Sequence, residues 1–542
     1  MMSTASISKG IRQQLETLAV NDKDQGIRNK FRQDKQRAEN FSYDLAGIYV
    51  DLSKTHISED MLSIYSKWAQ EIGFAEKRHA LFSGERINVT ENRSVLHTLL
   101  RDSTNQGIDT VDPDVLLQAE TSRQQFADQY GSIRAQLDKR ATPITDIIHV
   151  GIGGSSLGTQ LVFEALSGID SNIRIHFIAN IDAHHLVSVL QQCNVESTLV
   201  IGVSKTFSTA ETLQNLGSIA DWVKVNGVDD VLGSFYAVTA NPDNADKYGI
   251  PKQNVVSFPQ WVGGRYSVWS SVSLSAALVL GIDKFNEFLA GAAAVDQHFY
   301  QTELNNNLCF IAASLDNYYA NYLDAKSRGI FAYDYRLRSI VDYLQQLETE
   351  SNGKDRQLNG DSADQHTSGV VWGGVGTDVQ HSVFQMLHQG TELIPSEFIL
   401  VRQPDHNLSA HHTELLANGL AQTAALLSGQ DLNKVRELHA AENLSELALQ
   451  AKVFSGDRPS STFLLDSLTP KTLGVLLAFY EHRTFCSGVL ANINSYDQMG
   501  VELGKRLANQ LSGFLTASSS KNEVLLPFDE STNQLIKKVT KE

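Results

Sequence analysis

Cysteine is scarce in this chain: three in 542 residues, Cys193, Cys309 and Cys486, widely separated and without a C-x-x-C pair. That spacing supports neither a disulfide framework nor a thiolate zinc site, and it fits a reducing compartment. Basic residues are in deficit too. The 45 Lys and Arg face 62 Asp and Glu, a formal charge of −17, which argues against a nucleic-acid groove or an anionic membrane surface as the main partner. No apolar run is long: the most apolar one, near Leu274 to Ile282, is about half of the ~18 residues a spanning helix requires. The start, MMSTASISKGIRQQLE, has no apolar core of a secretory signal. The expectation is a soluble, cytoplasmic protein. Prolines number only ten, and no Pro-rich, Gly/Ser-rich or low-complexity linker interrupts the chain. What is present is an ordinary globular composition, 42% hydrophobic and 20% charged, at a length that usually divides into two or more domains.

The first hundred or so residues are polar and mostly helical in pattern. From Ile144 the pattern changes: ITDIIHVGI, IRIHFIANI, STLVIGV and GSFYAVTA are short β-branched runs separated by helical stretches. After an apolar helix around Val272 to Leu280 the alternation resumes through RGIFAYDY, SGVVWGG and SEFILVRQ. Strands alternating with helices predict an α/β protein with parallel sheets covered on both faces, in two halves joined near residue 280. From about Ser512 apolar residues thin out, which reads as a surface appendage. In such sheets ligands bind beyond the carboxyl ends of the strands, and the unusual residues sit there.

GIGGSSLG follows the strand ending at Val150. Gly151, Gly153 and Gly154 permit close backbone approach, and Ser155 and Ser156 can cap the next helix. A phosphate would meet N–H groups and a helix dipole. The loop lacks the G-K-[ST] of a Walker A motif. It also fails as a dinucleotide fingerprint, because Ser156 stands at the third glycine position and no acidic residue follows until Asp182. Taken alone it is equally a tight turn without a ligand. In SKTFSTAET, Ser204, Lys205, Thr206, Ser208 and Thr209 gather four hydroxyls and one ammonium at a strand end. That set favours a phosphomonoester.

QQLETESNGK supplies Gln345, Gln346, Glu348 and Glu350 before a Ser-Asn-Gly turn, although a single glutamate in such a place is ordinarily a surface residue. GTDVQHSVFQMLHQGT carries His381 at a helix start and His388 on the same face; without a third ligand, structural histidines are the default. His184–His185 and His411–His412 are adjacent pairs that do not face one site. Arg265 in WVGGRYSVWSS and Lys505 in YDQMGVELGK are basic residues flanked by glycine. Each is weak on its own.

Together, GIGGSSLG, SKTFSTAET, GGRYSVWS, QQLETESNGK, GTDVQH followed by HQGT, and DQMGVELGK, in this order, closely resemble the glucose-6-phosphate isomerase family. The resemblance implies two sugar-isomerase domains, at 120–280 (small) and 281–511 (large), with an N-terminal helical segment 1–119 packed on the large domain and a tail 512–542. It implies reversible interconversion of glucose 6-phosphate and fructose 6-phosphate through a cis-enediol(ate), as part of glycolysis and gluconeogenesis. Glu350 would shuttle the proton between C1 and C2, and Arg265 would stabilise the enediolate. His381, oriented by Glu211, would assist ring opening with Lys505 near the ring oxygen. Gln346 and Gln498 would line the pocket, and Ser204, Lys205, Thr206 and Thr209, helped by Gly154 and Ser155, would hold the phosphate. No cofactor, no metal, no nucleic acid and no membrane is implied. Family members are homodimers in which the matching histidine reaches into the neighbouring chain's site, so a homodimer with shared sites is expected.

The chain departs from the family pattern at Ser156 and Thr159, where an acidic residue and a proline are usual, and at Thr349, where Met is usual. Asp378 and Val379 replace Asn-Gly, and Met499 replaces a tryptophan. None of these removes a proton-transfer or phosphate group, but Val379 in place of glycine could alter the backbone that positions His381. Two rival functions fit less well: a phosphosugar isomerase of broader specificity, for instance one that takes mannose 6-phosphate, and a sugar-phosphate sensor, which would normally carry a DNA-binding module or lack the base.

Overall fold

The β-branched runs that begin at Ile144 are strands, and three of them, Asp146–Val150, Thr198–Val203 and Phe235–Thr239, are buried along their whole length, as expected where helices cover both faces of a parallel sheet. The computed structural model describes residues 7–102, 111–168, 171–517 and 528–540. Its strands are β1 (Ser42–Leu45), β2 (Ile48–Asp51), β3 (Asp146–Val150), β4 (Arg174–Ile178), β5 (Thr198–Val203) and β6 (Phe235–Thr239). Then follow β7 (Val255–Ser257), β8 (Ser327–Tyr333), β9 (Val370–Val375), β10 (Ser396–Gln403) and β11 (Ser460–Ser467).

Two sheets result. One has five parallel strands in the order β4-β3-β5-β6-β7, and the other six in the order β1-β2-β11-β10-β8-β9. In the second, β8 to β11 are mutually parallel and the hairpin of β1 and β2 runs antiparallel along β11, pairing Val50 with Phe463. The protein is thus α/β with parallel sheets, as its sequence predicts. The polar N-terminal stretch, expected to be mostly helical, also lends the hairpin, whose Ile48 and Val50 face inward while Tyr49 is exposed. The chain divides into two compact units, Met1–Ser495 and Tyr496–Glu542. The second contains the helices Glu502–Ala517 and Glu530–Val539; residues 518–527 and 541–542 of the expected tail lie outside those described.

Within the first unit, the helix Pro470–Leu490 is buried on every side. It starts at Thr469, whose hydroxyl accepts from the N–H of Thr472 in a capping box, with Pro470 at the first turn, where its missing N–H costs nothing. It crosses the helix Ile282–Gln301 backbone to backbone at two glycines. A Cβ on Gly474 would lie 2.0 Å from the carbonyl oxygen of Phe288, and one on Gly291 would lie 2.0 Å from that of Lys471. Gly474→Ala must push the helices apart, and we expect it to destabilise the protein by about 3 kcal/mol or more. Chemical denaturation measures this, and an unchanged midpoint would mean that the crossing has slack.

All three cysteines are free; Cys309 and Cys486 are buried, and burial pushes their thiols above the usual range. Among the described residues no helix is long and apolar enough to cross a membrane.

Candidate active site

The site is assembled at the carboxyl ends of β3 and β5, where three loops meet. GIGGSS leaves β3 and turns into the helix Leu157–Leu166. A Cβ on Gly151 would sit 3.1 Å from the carbonyl oxygen of Val203, the last residue of β5, so this loop lies against the start of SKTFST. Gly154 presses on the third loop: a Cβ there would be 2.2 Å from the carbonyl carbon of Gly264 and 2.7 Å from the Arg265 nitrogen. No other residue fits at 154. The Ser267 hydroxyl donates to the Gly154 carbonyl at 3.1 Å and fastens the same contact.

Beneath the first loop His149 is fully buried, and burial pushes its imidazole down to about 4. It is therefore neutral at ordinary pH, with Nε2 2.7 Å from the Ser155 carbonyl and Nδ1 2.8 Å from the Ser275 hydroxyl. Since a carbonyl only accepts, the proton is on Nε2. Ser156, expected to cap the helix, occupies the N-cap position without making the bond. Its ψ of −54° is not the extended value that aims a side-chain oxygen at the first turn, and its buried hydroxyl has no partner among the described residues. Thr159, where the family usually has proline, donates to the Val272 carbonyl at 3.2 Å.

In the second loop Ser204 is buried and its hydroxyl lies 3.0 Å from that of Thr209, while Ser208 donates to the exposed Thr206 at 2.8 Å. Thr209 begins the helix Ala210–Val225 but leaves its first turn uncapped, so those N–H groups stay open to an anion. Lys205 Nζ donates to the Val262 carbonyl at 2.9 Å, which ties this loop to WVGGR. Burial, with Arg93 nearby, pushes the Lys205 ammonium down to about 8.

Glu350 closes a π-helical turn, Gln346–Glu350, that follows the helix Ile340–Gln345. Gln346 Nε2 donates to Glu350 Oε2 at 2.8 Å, and Arg265 Nη1 lies 3.5 Å from Oε1. The two side chains differ in access: that of Arg265 is 2% exposed, that of Glu350 24%. Arg265 spends Nε on the Ser351 hydroxyl and Nη2 on the Ser495 carbonyl, each at 2.6 Å. Tyr266 also reaches Ser351, oxygen to oxygen, at 2.9 Å. Gln346 in turn lies over Gly153, where a Cβ would come within 2.9 Å of its Nε2. A half-open carboxylate, a fixed guanidinium and a hydroxyl-rich loop on one rim are the parts needed to move a proton on a phosphorylated substrate and to stabilise the oxyanion that forms.

A model of the phosphoglucose isomerase family matches residues 51–536. The chain belongs to that family. It is 41% identical over 507 residues to a glucose-6-phosphate isomerase of Rhizorhabdus wittichii, covering 93% of this chain and 95% of that one. It is 42% identical over 494 residues to one from Sphingopyxis alaskensis, covering 91% and 92%. Its fold is similar to the crystal structure of a glucose-6-phosphate isomerase from Chlamydia trachomatis, with a TM-score of 0.83 at 29% identity and coverage of 97% and 98%.

The residues expected from family motifs fall into three groups. Gly154, Ser155, Lys205, Arg265, Gln346 and Glu350 are connected through the contacts above, with Ser204, Thr206 and Thr209 on the adjoining loop. His381 and Glu211 are not brought together. His381 is exposed in the first turn of the helix Gln380–Gln389, Glu211 is half-buried in the first turn of Ala210–Val225, and no bond joins them within the chain. Gln498 and Lys505 belong to the second unit, where Lys505 is exposed and 3.2 Å from Glu502. Val379 leaves the His381 backbone regular: its φ of −63° is ordinary right-handed geometry, and its side chain packs with Phe331, Tyr333 and Phe384. Thr349 is exposed and donates to the Gln345 carbonyl at 2.5 Å. Sequence reasoning missed Ser351, Tyr266 and His149. Ser351 sits in the quoted motif, but nothing local marks it as the partner of Arg265.

Asp146, His176 and Cys193 bring ligand-type atoms within 4.8 Å of one another at the opposite, amino end of β3 and β4. The Asp146 carboxylate there is already engaged by His176 and Arg174 at 2.8 Å and by the Thr145 hydroxyl at 2.8 Å. Its charge is met by the Arg174 guanidinium.

Proposed function

We propose that this chain interconverts glucose 6-phosphate and fructose 6-phosphate, by opening the sugar ring and moving one proton between C1 and C2 through a cis-enediol(ate). The observation that carries the reading is the Glu350 carboxylate, held by Gln346 and facing Arg265 beside a Ser/Thr/Lys loop, in a family whose curated members bear that activity in their name. Glu350 is the base. Arg265 meets the charge that develops on the enediolate oxygen, and Gln346 and Gln498 line the pocket. Ser204, Lys205, Thr206 and Thr209, with Gly154 and Ser155, hold the phosphate by hydroxyls, backbone N–H groups and one ammonium. The reaction is proton transfer alone and asks for no redox cofactor or metal. Its test is turnover of fructose 6-phosphate by the purified chain in excess chelator, read through glucose-6-phosphate dehydrogenase; no turnover by a folded protein refutes it.

His381 opens the ring, with Glu211 as its orienting carboxylate and Lys505 near the ring oxygen. The exposure of His381 and its lack of contact with Glu211 in the same chain support a homodimer in which each His381 serves its neighbour's site. His381→Ala should cost roughly 10²-fold in kcat with the cyclic sugar and far less with an open-chain analogue. Equal losses on both substrates count against ring opening. We place the enzyme in the cytoplasm, where phosphorylated sugars are made and retained.

Lys205 gives the site a pH dependence. Its ammonium, pushed down to about 8, is charged below that pH and neutral above it. Binding of a phosphate dianion by the free enzyme should therefore weaken as pH rises through about 8, lowering kcat/KM more than kcat. Lys205→Arg should remove that limb, and a limb that persists in the variant belongs to another group.

A further inference from the structure

Glu348 shares the π turn with Glu350 and has no part in the chemistry above. Such turns are uncommon and recur at functional sites. Two residues before the base, Glu348 is 13% exposed at its side chain and reaches a buried cluster of charges behind the turn. Arg328, in β8, forms ion pairs with Glu348, with Asp316 at 2.9 Å and with Glu397 at 3.2 Å. Arg483, in the helix Pro470–Leu490, grips Asp316 through two bonds of 2.6 and 2.7 Å and lies 2.6 Å from Glu397. The Tyr480 hydroxyl donates to Glu397 at 2.8 Å.

Two guanidiniums thus face three carboxylates. Asp316 and Glu397 each touch both arginines, whereas Glu348 has Arg328 as its one bonded partner among the described residues. The member with a single arginine partner is the one on the turn that carries the base. Side-chain bonds also flank the turn, from Gln345 Nε2 to the Val371 carbonyl at 2.9 Å and from Arg265 to the Ser351 hydroxyl. In its middle Leu347 is fully buried and Glu348 is the residue held by charge. The rotation of the turn about its axis is then set by the packing of Leu347 together with what the Glu348 carboxylate holds. Here Glu348 is held from behind and Glu350 points forward.

We propose that Arg328 and Glu348 are positioning residues for Glu350, fixing the rotation of the π turn so that the carboxylate stays between Gln346 and Arg265. The inference rests on Glu350 being the base. Its test uses the full-length enzyme and two activities: isomerisation, which needs Glu350, and interconversion of glucose 6-phosphate anomers, which needs ring opening only. Glu348→Ala should lower the kcat of isomerisation roughly 10- to 100-fold, the scale of a small misplacement of a reacting group. KM should stay within about threefold, and anomer interconversion should be unchanged. Glu348→Gln, which keeps the length and an acceptor for Arg328, should recover most of the loss. Wild-type kcat in Glu348→Ala, or equal losses in both activities, overturns the proposal. If the alanine variant does not fold, Arg328→Lys decides, since it keeps the charge but gives up the fork that spans three carboxylates: it too should lose isomerisation and keep anomer interconversion, and a wild-type ratio of the two refutes positioning. An active Glu350→Gln, run alongside, would strike the assignment of the base instead.

Discussion

Glu350→Gln is expected to lower kcat by roughly 10²- to 10⁴-fold, the contribution of a positioned general base, while binding of the sugar phosphate stays within a few-fold. The substitution is nearly isosteric, so what it removes is specific. The amide retains an oxygen to accept from Gln346, as the carboxylate does at 2.8 Å, and the packing of the π turn is unchanged. It loses the ability to take a proton from carbon. The phosphate loop is built on other elements, by Ser204 against Thr209 and Lys205 against Val262, and has no bond to Glu350, so affinity has no reason to follow. A second readout is exchange of the C2 proton with deuterated solvent, which should fall together with turnover. A variant that turns over normally, or that loses binding in step with turnover, shows that Glu350 supports the structure and does not carry the proton.

The parts of the site that the sequence made legible are those whose chemistry is local. GIGGSSLG and SKTFSTAET each follow a β-branched run, so their place at a strand end and their capacity for an anion can be read within a dozen residues. The contact between them needed the sheet order, with β3 beside β5. Glu348 and Glu350 show the limit. They are two glutamates in six residues, indistinguishable by composition, and only the distant Arg328 marks one as structural while Gln346 and Arg265 meet the other. In the same way the partner of Arg265 Nη2 is a carbonyl at Ser495, which no motif could indicate. The strands missed by pattern have physical reasons: β7 is three residues long, β11 begins Ser-Ser-Thr, and the hairpin of β1 and β2 sits in a polar stretch with one inward face. Val379 is the reverse case. The motif suggested a backbone that needs glycine, and the backbone there is regular.

Arg265→Ala should reduce kcat by about 10²- to 10³-fold, the scale of losing one preorganised oxyanion donor, and raise KM by less than about tenfold. The argument is that Arg265 is already fixed before substrate arrives. Its side chain is 2% exposed, two of its nitrogens are committed to Ser351 and Ser495, and its guanidinium lies over the Tyr266 ring at 5.4 Å from the centroid. Such a group spends nothing on reorganisation when charge appears on the enediolate, and its effect is felt in the transition state more than in the bound sugar. Arg265→Lys should recover little, because one ammonium cannot hold Ser351 and Ser495 and still face the reacting oxygens. Truncation also strips Ser351 and the Ser495 carbonyl of a buried donor, so the thermal midpoint must be measured alongside: kcat lost per folded molecule is the catalytic part. If instead KM rises while kcat stands, Arg265 binds the ground state, and the oxyanion must be met by other groups of the site.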